Sequence, residues 1–371
     1  MSYLDRVRFT LDNLTERALL REVRARTPVG AIDFSSNDYL GMSREPSVVS
    51  ALHDASCVGS SGSRLLSGAR PEHVALEADL AAWTGRDAAL LFSSGYLAML
   101  GAVVTLAPFV ETIASDERNH ACAIDAVRLT KLVRTVHPHD EPAIALSDAR
   151  RVPTMHVTES LFGMTGTRVD IGARVRALGP GDVLVVDEAH ALGVAGPAGA
   201  GLCAAHRDPR IIVVGTLSKA LGAIGGFVAG PHDAIAYLAT AARTFVFDTA
   251  LPPAIASALR VSLALVRGEE GERRRAHLHD LARALAQDLT AIGIAVAPTD
   301  GPIVPIRIGE AATALAVGRH LEACGIYAPA IRPPTVPRGE SQLRITLRSE
   351  HTPEDLRALT RALRSALTGV A

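Results

Sequence analysis

Two short runs of aliphatic residues restrict most strongly the folds that this chain can adopt. Val183-Leu-Val-Val186 and Ile211-Ile-Val-Val214 are continuous rather than alternating in polarity, and a glycine and a proline lie within three residues of each run. Such runs are typical of parallel strands that are covered on both faces. Helical stretches separate these and the other predicted strands, which indicates βαβ units around a mainly parallel sheet. The sequence therefore predicts an α/β fold.

The pattern along the chain predicts three segments. Residues 1–34 form an N-terminal helical segment, residues 35–253 a large domain, and residues 254–371 a small C-terminal α+β domain. In the large domain we predict helices over 71–83, 96–106 and 121–129, and strands over 88–92, 112–114, 132–136, 152–158, 183–186, 211–214 and 223–229. In the small domain we predict helices over 254–267, 269–292, 311–324 and 353–367, and strands over 303–308 and 343–347. The charged run 272–275 is interpreted as a solvated helix face.

Composition disfavours several classes of function. The formal net charge of the 371 residues is −1, which gives no electrostatic signal for a nucleic acid or a membrane surface. No apolar run reaches transmembrane length, and the N-terminus has no signal-peptide core. The four cysteines lie far apart, without metal-ligand spacing or a disulfide framework: Cys57, Cys122, Cys203 and Cys324. We expect a cytoplasmic protein with no structural metal, no nucleic-acid partner and no membrane partner.

Lys219 is the first candidate for chemistry. Of the 38 basic residues only Lys131 and Lys219 are lysines, and all others are arginines. Arginine stays protonated, whereas lysine can act as a base or form an imine with a carbonyl. Lys219 follows the run 211–214 in a glycine-rich segment without other charges, which favours a catalytic role. A buried loop lysine whose ammonium reaches solvent is the alternative.

Asp187 and His190 follow the other apolar run, in Asp187-Glu-Ala-His190. Ligands of open α/β sheets bind outside the carboxyl ends of the strands, so Asp187 and Lys219 can face one crevice. Pyridoxal 5'-phosphate (PLP) requires this pair, because a lysine binds its aldehyde and a carboxylate keeps its pyridine nitrogen protonated. A helix N-cap or turn role is the alternative for Asp187. The joint pattern predicts a PLP site.

With these residues the chain resembles the α-oxoamine synthases, PLP enzymes of the aspartate-aminotransferase fold (type I). The resemblance covers nearly the whole chain and rests on motifs that include Phe34-Ser-Ser-Asn-Asp-Tyr-Leu-Gly41, Gly62-Ser-Arg-Leu-Leu-Ser-Gly68, Ser94-Gly-Tyr96, Asp187-Glu-Ala-His190, Thr216-Leu-Ser-Lys219 and Thr249-Ala-Leu-Pro-Pro253. It implies that residues 35–253 bind the cofactor. Arg332-Pro-Pro-Thr-Val-Pro337, followed by Gln342-Leu-Arg344, resembles the branch that condenses L-alanine with a pimeloyl thioester in biotin biosynthesis.

The resemblance implies a role for each matching catalytic residue. Lys219 would hold PLP and move the α-proton of the substrate, and Asp187 would pair with the pyridine nitrogen. His190 would bind the phenolic oxygen, and His120 would stack on the ring. Satisfied structural histidines are the alternative for His120 and His190.

The resemblance also implies the remaining contacts. The phosphate would be held by Gly95, Tyr96 and Thr216, and by Thr249 of a neighbouring subunit. The substrates would be held by Arg344 at the amino-acid carboxylate, by Asn37 and Arg24 nearby, and by Arg332 at the acyl end. A structural ion pair is the alternative for Arg344, a solvated helix face for Arg24, and a pairing with a surface acid for Arg332.

One position departs from the family pattern. Gly163 stands where the family has a serine whose hydroxyl helps His190 to hold the phenolic oxygen. The lost hydrogen bond corresponds to about 0.5–1.5 kcal/mol, with Ser160 or a water as the expected substitute.

The sequence leaves alternative functions open. The runner-up is another α-oxoamine synthase that uses glycine or serine with a different acyl thioester. A non-catalytic scaffold of the same fold is disfavoured by retention of the four catalytic residues, and a PLP-type transcription factor by the lack of a predicted DNA-binding module. We expect a homodimer with shared active sites. The acyl carrier, coenzyme A or acyl carrier protein, stays open.

Overall fold

The computed structural model describes residues 1–21, 30–139, 152–297, 299 and 301–368. Its strands are β1 (Ile32–Asp33), β2 (Ala88–Phe92), β3 (Thr112–Asp116), β4 (Val133–His137), β5 (Thr154–Glu159), β6 (Val183–Asp187), β7 (Ile211–Thr216), β8 (Gly226–Gly230), β9 (Ile303–Gly309), β10 (Ile326–Tyr327), β11 (Ala330–Ile331) and β12 (Ser341–Thr346). Its helices are α1 (Tyr3–Glu16), α2 (Pro46–His53), α3 (Pro71–Thr84), α4 (Gly95–Leu106), α5 (Ala121–Thr130), α6 (Ile171–Ala177), α7 (His232–Ala241), α8 (Arg243–Val246), α9 (Pro253–Arg267), α10 (Glu269–Ala291), α11 (Ala311–Ala323) and α12 (Pro353–Thr368).

The chain divides into two compact units. The larger unit comprises Asp38–Gly163 and Thr167–Ala276, and the smaller unit comprises Met1–Asn37, Met164–Gly166 and His277–Ala371. These divisions fall at 37 and 276, whereas the sequence pattern placed domain boundaries at 34 and 253. Helix α9 therefore groups with the larger unit, because it packs against α2 and α3. The proposed folding domains themselves stay a prediction.

A seven-stranded sheet organises the larger unit. Its order is β2-β8-β7-β6-β5-β3-β4, and the strands from β7 to β4 are parallel to their neighbours. Strand β8 runs antiparallel to both β2 and β7. The fully buried runs in β6 and β7 confirm the predicted mainly parallel α/β sheet, because each is covered on both faces.

Helix α4 is apolar around most of its circumference because it packs against the centre of this sheet. Ala98, Met99, Ala102 and Val103 have no exposed surface, and they join a core with residues of β5, β6 and β8. Ser94 begins the helix by accepting a hydrogen bond from the Leu97 amide at 3.2 Å. The first turn of α4 is thereby fixed against the carboxyl ends of the strands.

The smaller unit contains a three-stranded antiparallel sheet in the order β11-β12-β9 and a parallel pair of β1 with β10. Helices α11 and α12 pack against each other. The predicted strands 303–308 and 343–347 are confirmed within one or two residues, as are helices 311–324 and 353–367. The expectation of a small α+β unit at the C-terminal end is therefore correct. In the part of the chain that the structure describes, no helix is both long and apolar enough to cross a bilayer.

The interpretation of 272–275 as a solvated helix face is wrong for Arg275. Its side chain is 4% exposed, and its Nη1 donates to the Val266 carbonyl at 2.6 Å and to the Gly193 carbonyl at 3.3 Å. A carbonyl near the end of α9 is satisfied in this way. Arg273, two residues earlier on the same helix, is 73% exposed and pairs with the nearby Glu270.

Arg275→Leu should lower the free energy of unfolding by about 1.5–3 kcal/mol, because buried carbonyls lose a charged donor. Arg273→Leu is the matched control and should change it by less than about 0.5 kcal/mol. Urea unfolding followed by circular dichroism measures both values. Equal effects of the two substitutions would contradict the structural role of Arg275.

Candidate active site

Three polar side chains end neighbouring parallel strands of the larger unit. Glu159 ends β5, Asp187 ends β6 and Thr216 ends β7, with Glu159 directly opposite Asp187 in the strand register. All three are buried. The carboxyl end of a parallel sheet is where α/β proteins bind ligands, so the strand order alone brings these groups to one place.

Lys219 lies three residues beyond the end of β7, in a loop that its own backbone closes. The Leu217 amide donates to the Gly225 carbonyl at 2.9 Å, and the Gly222 amide donates to the Lys219 carbonyl at 2.8 Å. The Nζ of Lys219 lies 2.9 Å from the Nε2 of His190. Burial lowers the pKa of His120 and raises that of Glu159; the charge of Lys219 reinforces the first shift and partly opposes the second, which places it within the same cluster.

His120 caps the N-terminus of α5 beside Asp187. Its Nδ1 accepts from the Cys122 amide at 3.3 Å and lies 3.0 Å from the Cys122 thiol. Burial lowers the pKa of His120, and the Asp187 carboxylate partly opposes this shift. A neutral, partly buried imidazole is suited to stacking on a flat aromatic ring.

Glu159 belongs to the cluster although the sequence analysis did not single it out. Its Oε1 accepts from the His120 amide at 2.7 Å, and its Oε2 accepts from the Gly163 amide at 3.2 Å. Burial, followed by the charge of Asp187, raises the pKa of Glu159 to about 8. The signal that reveals it is its place at the end of a predicted strand, which is the criterion that selected Asp187.

Backbone groups at the start of α4 form a cradle for an anion. A Cβ at Gly226 would lie 2.4 Å from the Gly95 amide nitrogen, and a Cβ at Gly95 would lie 3.0 Å from the Cβ of Thr216. The first amides of a helix lack intrahelical acceptors and favour negative charge. Gly95, Tyr96 and Thr216 therefore suit the phosphate of PLP. The phenol of Tyr96 itself bonds to Asp125, which raises its pKa to about 12.

The structure places Thr249 in the segment between α8 and α9, beside Asp248 and the side chain of Arg64. Its predicted contact is with a neighbouring subunit, so it stays a prediction. The next residue, Ala250, donates its amide to the Gly62 carbonyl at 3.0 Å. This bond joins two of the motifs that carry the resemblance.

Two predicted substrate residues meet in the smaller unit. Both Nη atoms of Arg344 lie 3.1 Å from Oδ1 of Asn37, and Nη1 also lies 2.8 Å from Oγ1 of Thr346. Arg344 is 7% exposed. In these contacts both partners of Arg344 are neutral side chains. Arg24 lies outside the described residues.

Arg332 lines a cavity of about 460 Å³ in the smaller unit. Its guanidinium donates to the carbonyls of Ala18 and Leu20. Burial lowers the pKa of Arg332, and the charge of Arg21 lowers it further. Arg21 lines the same cavity and donates from Nη2 to Oγ1 of Thr335 at 3.0 Å.

The side chains and glycines at the carboxyl ends of β5, β6 and β7 are chemically suited to PLP. Lys219 can hold the aldehyde carbon, Asp187 the pyridine nitrogen and His190 the phenolic oxygen. The glycine cradle leaves no room for a Cβ where the phosphate would approach the backbone. The expected substitute for the missing serine at Gly163 is not Ser160, because its hydroxyl donates to Oε2 of Glu188 at 2.7 Å.

Comparison with known proteins supports this interpretation. A family model described as aminotransferase class I and II matches residues 29–363. An 8-amino-7-oxononanoate synthase of Burkholderia thailandensis is 42% identical over 346 residues, which cover 90% of this chain and 88% of the relative. An enzyme of the same name from Aromatoleum aromaticum is 39% identical over 381 residues, which cover 97% of this chain and 98% of the relative. A serine palmitoyltransferase from S. paucimobilis, solved with a bound PLP-myriocin aldimine, is 26% identical over all of both chains with a TM-score of 0.89.

Lys219→Ala should abolish covalent attachment of PLP while the protein stays folded, because no other group of the cluster is a primary amine. Lys131→Ala is the matched control. Lys131 ends α5 with φ of 60° and is absent from the contacts of the cluster described above. Borohydride reduction with PLP, followed by mass spectrometry, should find one attached cofactor in the wild type and in Lys131→Ala, and none in Lys219→Ala. Retained attachment in Lys219→Ala would refute the assignment.

Proposed function

The chain belongs to the aminotransferase class I and II family and within it to the α-oxoamine synthases, and from this premise we propose that it makes 8-amino-7-oxononanoate. The reaction joins L-alanine to the acyl carbon of a pimeloyl thioester and releases carbon dioxide and the free thiol. It is a step of biotin biosynthesis. PLP, when bound, supplies the electron sink that stabilises negative charge on the alanine Cα.

In this proposal Lys219 is the base that accepts the proton from the alanine Cα. General-base catalysis is most efficient when the pKa of the base lies near the operating pH, and a lysine can reach that range whereas an arginine cannot. His190 lies 2.9 Å from the Lys219 amine and so orients it. When PLP is bound, Asp187 would hold the proton on the pyridine nitrogen, and His120 would stack on the ring.

Arg344 is proposed to bind the carboxylate of alanine. Its planar guanidinium offers a pair of parallel donors, which is the geometry that a carboxylate accepts best. The amide oxygen of Asn37 bonds to both Nη atoms and so fixes the orientation of the guanidinium. Once the new carbon–carbon bond has formed, this carboxylate leaves as carbon dioxide.

The arginine-lined cavity of the smaller unit is the observation that carries the choice of acyl group. Arg21, Arg319 and Arg332 line it together with Glu322, so cations outnumber the one acid. Leu20, Leu315 and Ile331 supply an apolar wall. An aliphatic chain that ends in a carboxylate matches both features, whereas a plain fatty acyl chain would bring no negative charge to the arginines.

The test is a product assay that crosses alanine, glycine and serine with pimeloyl, acetyl, succinyl and palmitoyl thioesters of both coenzyme A and acyl carrier protein. Alanine with pimeloyl should lead in kcat/KM by well over about tenfold, which is 1.4 kcal/mol of transition-state binding. A lead for serine with palmitoyl, or for glycine with acetyl, would favour the runner-up branch of the family.

The pimeloyl thioester methyl ester is the matched substrate control, because it keeps the chain and removes the terminal charge. The wild type should prefer the free acid by about 10- to 100-fold, the range of one charge-assisted hydrogen bond. Arg332→Leu should lose most of that preference and keep its activity on the ester. An equal loss on acid and ester would contradict a role for Arg332 at the acyl terminus.

The dimer is proposed from the surface of the larger unit. Several large apolar side chains are more than half exposed, among them Val58, Leu65, Leu66, Ile224 and Phe247. Exposed apolar surface of this kind marks interaction sites, and two-fold dimers are the commonest assembly. Phe247 precedes Thr249 by two residues, so its burial in a dimer interface would carry Thr249 towards the partner.

Light scattering should therefore give a mass near twice 38.9 kDa. Phe247→Asp should shift the protein towards the monomer and lower activity in parallel. Phe109→Asp, which alters an exposed phenylalanine that contacts Tyr237, is the control and should leave the mass unchanged. A fully active monomer at assay concentration would refute the shared site.

A further inference from the structure

The ring of His190 is held at both of its nitrogens. Its Nε2 lies 2.9 Å from Nζ of Lys219, and its Nδ1 lies 2.6 Å from the hydroxyl of Tyr39. Tyr39 has no exposed surface and His190 is 7% exposed. The contact between Tyr39 and His190 was not predicted from the sequence, in which Tyr39 is one residue of the longer motif 34–41.

Tyr39 is itself placed by a tight turn. The two carboxylate oxygens of Asp38 accept from the Met42 amide at 2.9 Å and the Ser43 amide at 3.1 Å. The Gly41 amide donates to the Asp38 carbonyl at 3.1 Å, and Gly41 has a φ of 69°, which suits glycine. The phenol therefore projects from a backbone that cannot shift without breaking these bonds.

Gly163 provides the space that the His190 ring occupies. A Cβ at this position would lie 2.3 Å from Nε2, 2.7 Å from Cδ2 and 3.0 Å from Cε1 of His190. These separations lie well inside van der Waals contact, so a side chain at 163 and the ring cannot both keep their places. The backbone of Gly163 is tied at its amide to Glu159 at 3.2 Å.

We propose that Tyr39 is the positioning residue for His190 and that glycine at position 163 is the condition for this arrangement. The chain thus holds the imidazole from its Nδ1 side with a buried phenol, where a serine at 163 would have approached from the Nε2 side. The contacts of His190 are observed in the structure, whereas their role in catalysis rests on the proposed function.

The phenol suits both protonation patterns that His190 needs. When the Lys219 ammonium donates to Nε2, Nδ1 carries the hydrogen and donates to the phenol oxygen. When Nε2 instead donates to the phenolic oxygen of PLP, Nδ1 accepts the hydrogen of the Tyr39 hydroxyl. A phenol can donate or accept, so Tyr39 serves either tautomer of the imidazole without moving.

The experiment compares Tyr39→Phe, Gly163→Ala and Gly163→Ser with the wild type, and uses Tyr237→Phe as the control because that tyrosine is partly exposed and lies against Phe109. The first readout is the ¹⁵N chemical shifts of His190 in protein without cofactor. The second is the pH midpoint of the visible absorbance with PLP bound. Neither needs alanine or an acyl thioester, so failure here is distinct from failure of the proposed function.

Tyr39→Phe should change the Nδ1 shift and move the absorbance midpoint by about half to one pH unit, since one hydrogen bond to the imidazole is lost. Gly163→Ala and Gly163→Ser should both displace the ring and move the midpoint to a similar extent. Tyr237→Phe should change neither readout. Unaltered His190 shifts and midpoint in Tyr39→Phe would overturn the positioning role.

The two substitutions at 163 separate space from hydrogen bonding. If Gly163→Ser behaves as the wild type while Gly163→Ala does not, a hydroxyl rather than room for the ring decides, and the proposal is overturned. If either variant fails to fold, the Tyr39→Phe shifts still decide, because that change removes one atom and adds none. Thermal unfolding of all four variants identifies such a failure.

Discussion

Two carboxylates buried side by side at the ends of β5 and β6 are the constraint on which the site depends. Glu159 and Asp187 face each other across the strand register, and like charges so placed cannot both stay ionised at low cost. Burial and the charge of Asp187 raise the pKa of Glu159 to about 8, so the neutral form of Glu159 is favoured at neutral pH. In the proposed site the other carboxyl, that of Asp187, would pair with the pyridine nitrogen of PLP. The amides of His120 and Gly163 both donate to Glu159, so one residue ties together the two loops that carry these amides.

The same strand ends explain why glycine recurs at the site. Gly226 approaches the Gly95 amide so closely that a Cβ would lie 2.4 Å away, and Gly163 leaves room for the His190 ring. In each case the missing side chain leaves room for a neighbouring backbone or ring group that a Cβ would displace. Gly226 begins β8, and Gly163 lies in the loop that follows β5.

Most of the larger unit was predictable because its signals are local. Continuous apolar runs defined β6 and β7, and Pro71 with Gly85 marked the two ends of α3 to within a residue. Helices α2, α6, α7 and α8 were not predicted. Helices α2, α6 and α8 have eight residues or fewer, too few for a clear helical period, whereas α7 has ten residues, as many as the predicted α5. In the predicted charged run, the burial of Arg275 depends on carbonyls distant in sequence, which no local pattern reports.

The site shows the same limit. Lys219 was predicted from the scarcity of lysine, and Asp187 from its place at the end of an apolar run. His190 and His120 were predicted from the family motifs, and the structure brings the four residues together in the larger unit. Glu159, Cys122 and Tyr39 were missed because their importance lies in contacts across the fold. Tyr39 meets His190 from 151 positions away, and Glu159 meets Asp187 only through the strand register.

The shortage of lysine is consistent with these separate demands. Cations that serve structure must reach several carbonyls: the buried Arg275 donates to those of Gly193 and Val266, and the partly buried Arg86 donates to those of Cys203 and Asp208. A guanidinium meets that demand through its fixed set of donors. The proposed proton transfer at Cα demands the opposite property, a nitrogen that can lose its charge next to His190. Lysine has that property and arginine does not. An arginine at position 219 would therefore be unable to take part in the proposed proton transfer, although arginine is the preferred cation elsewhere in the chain.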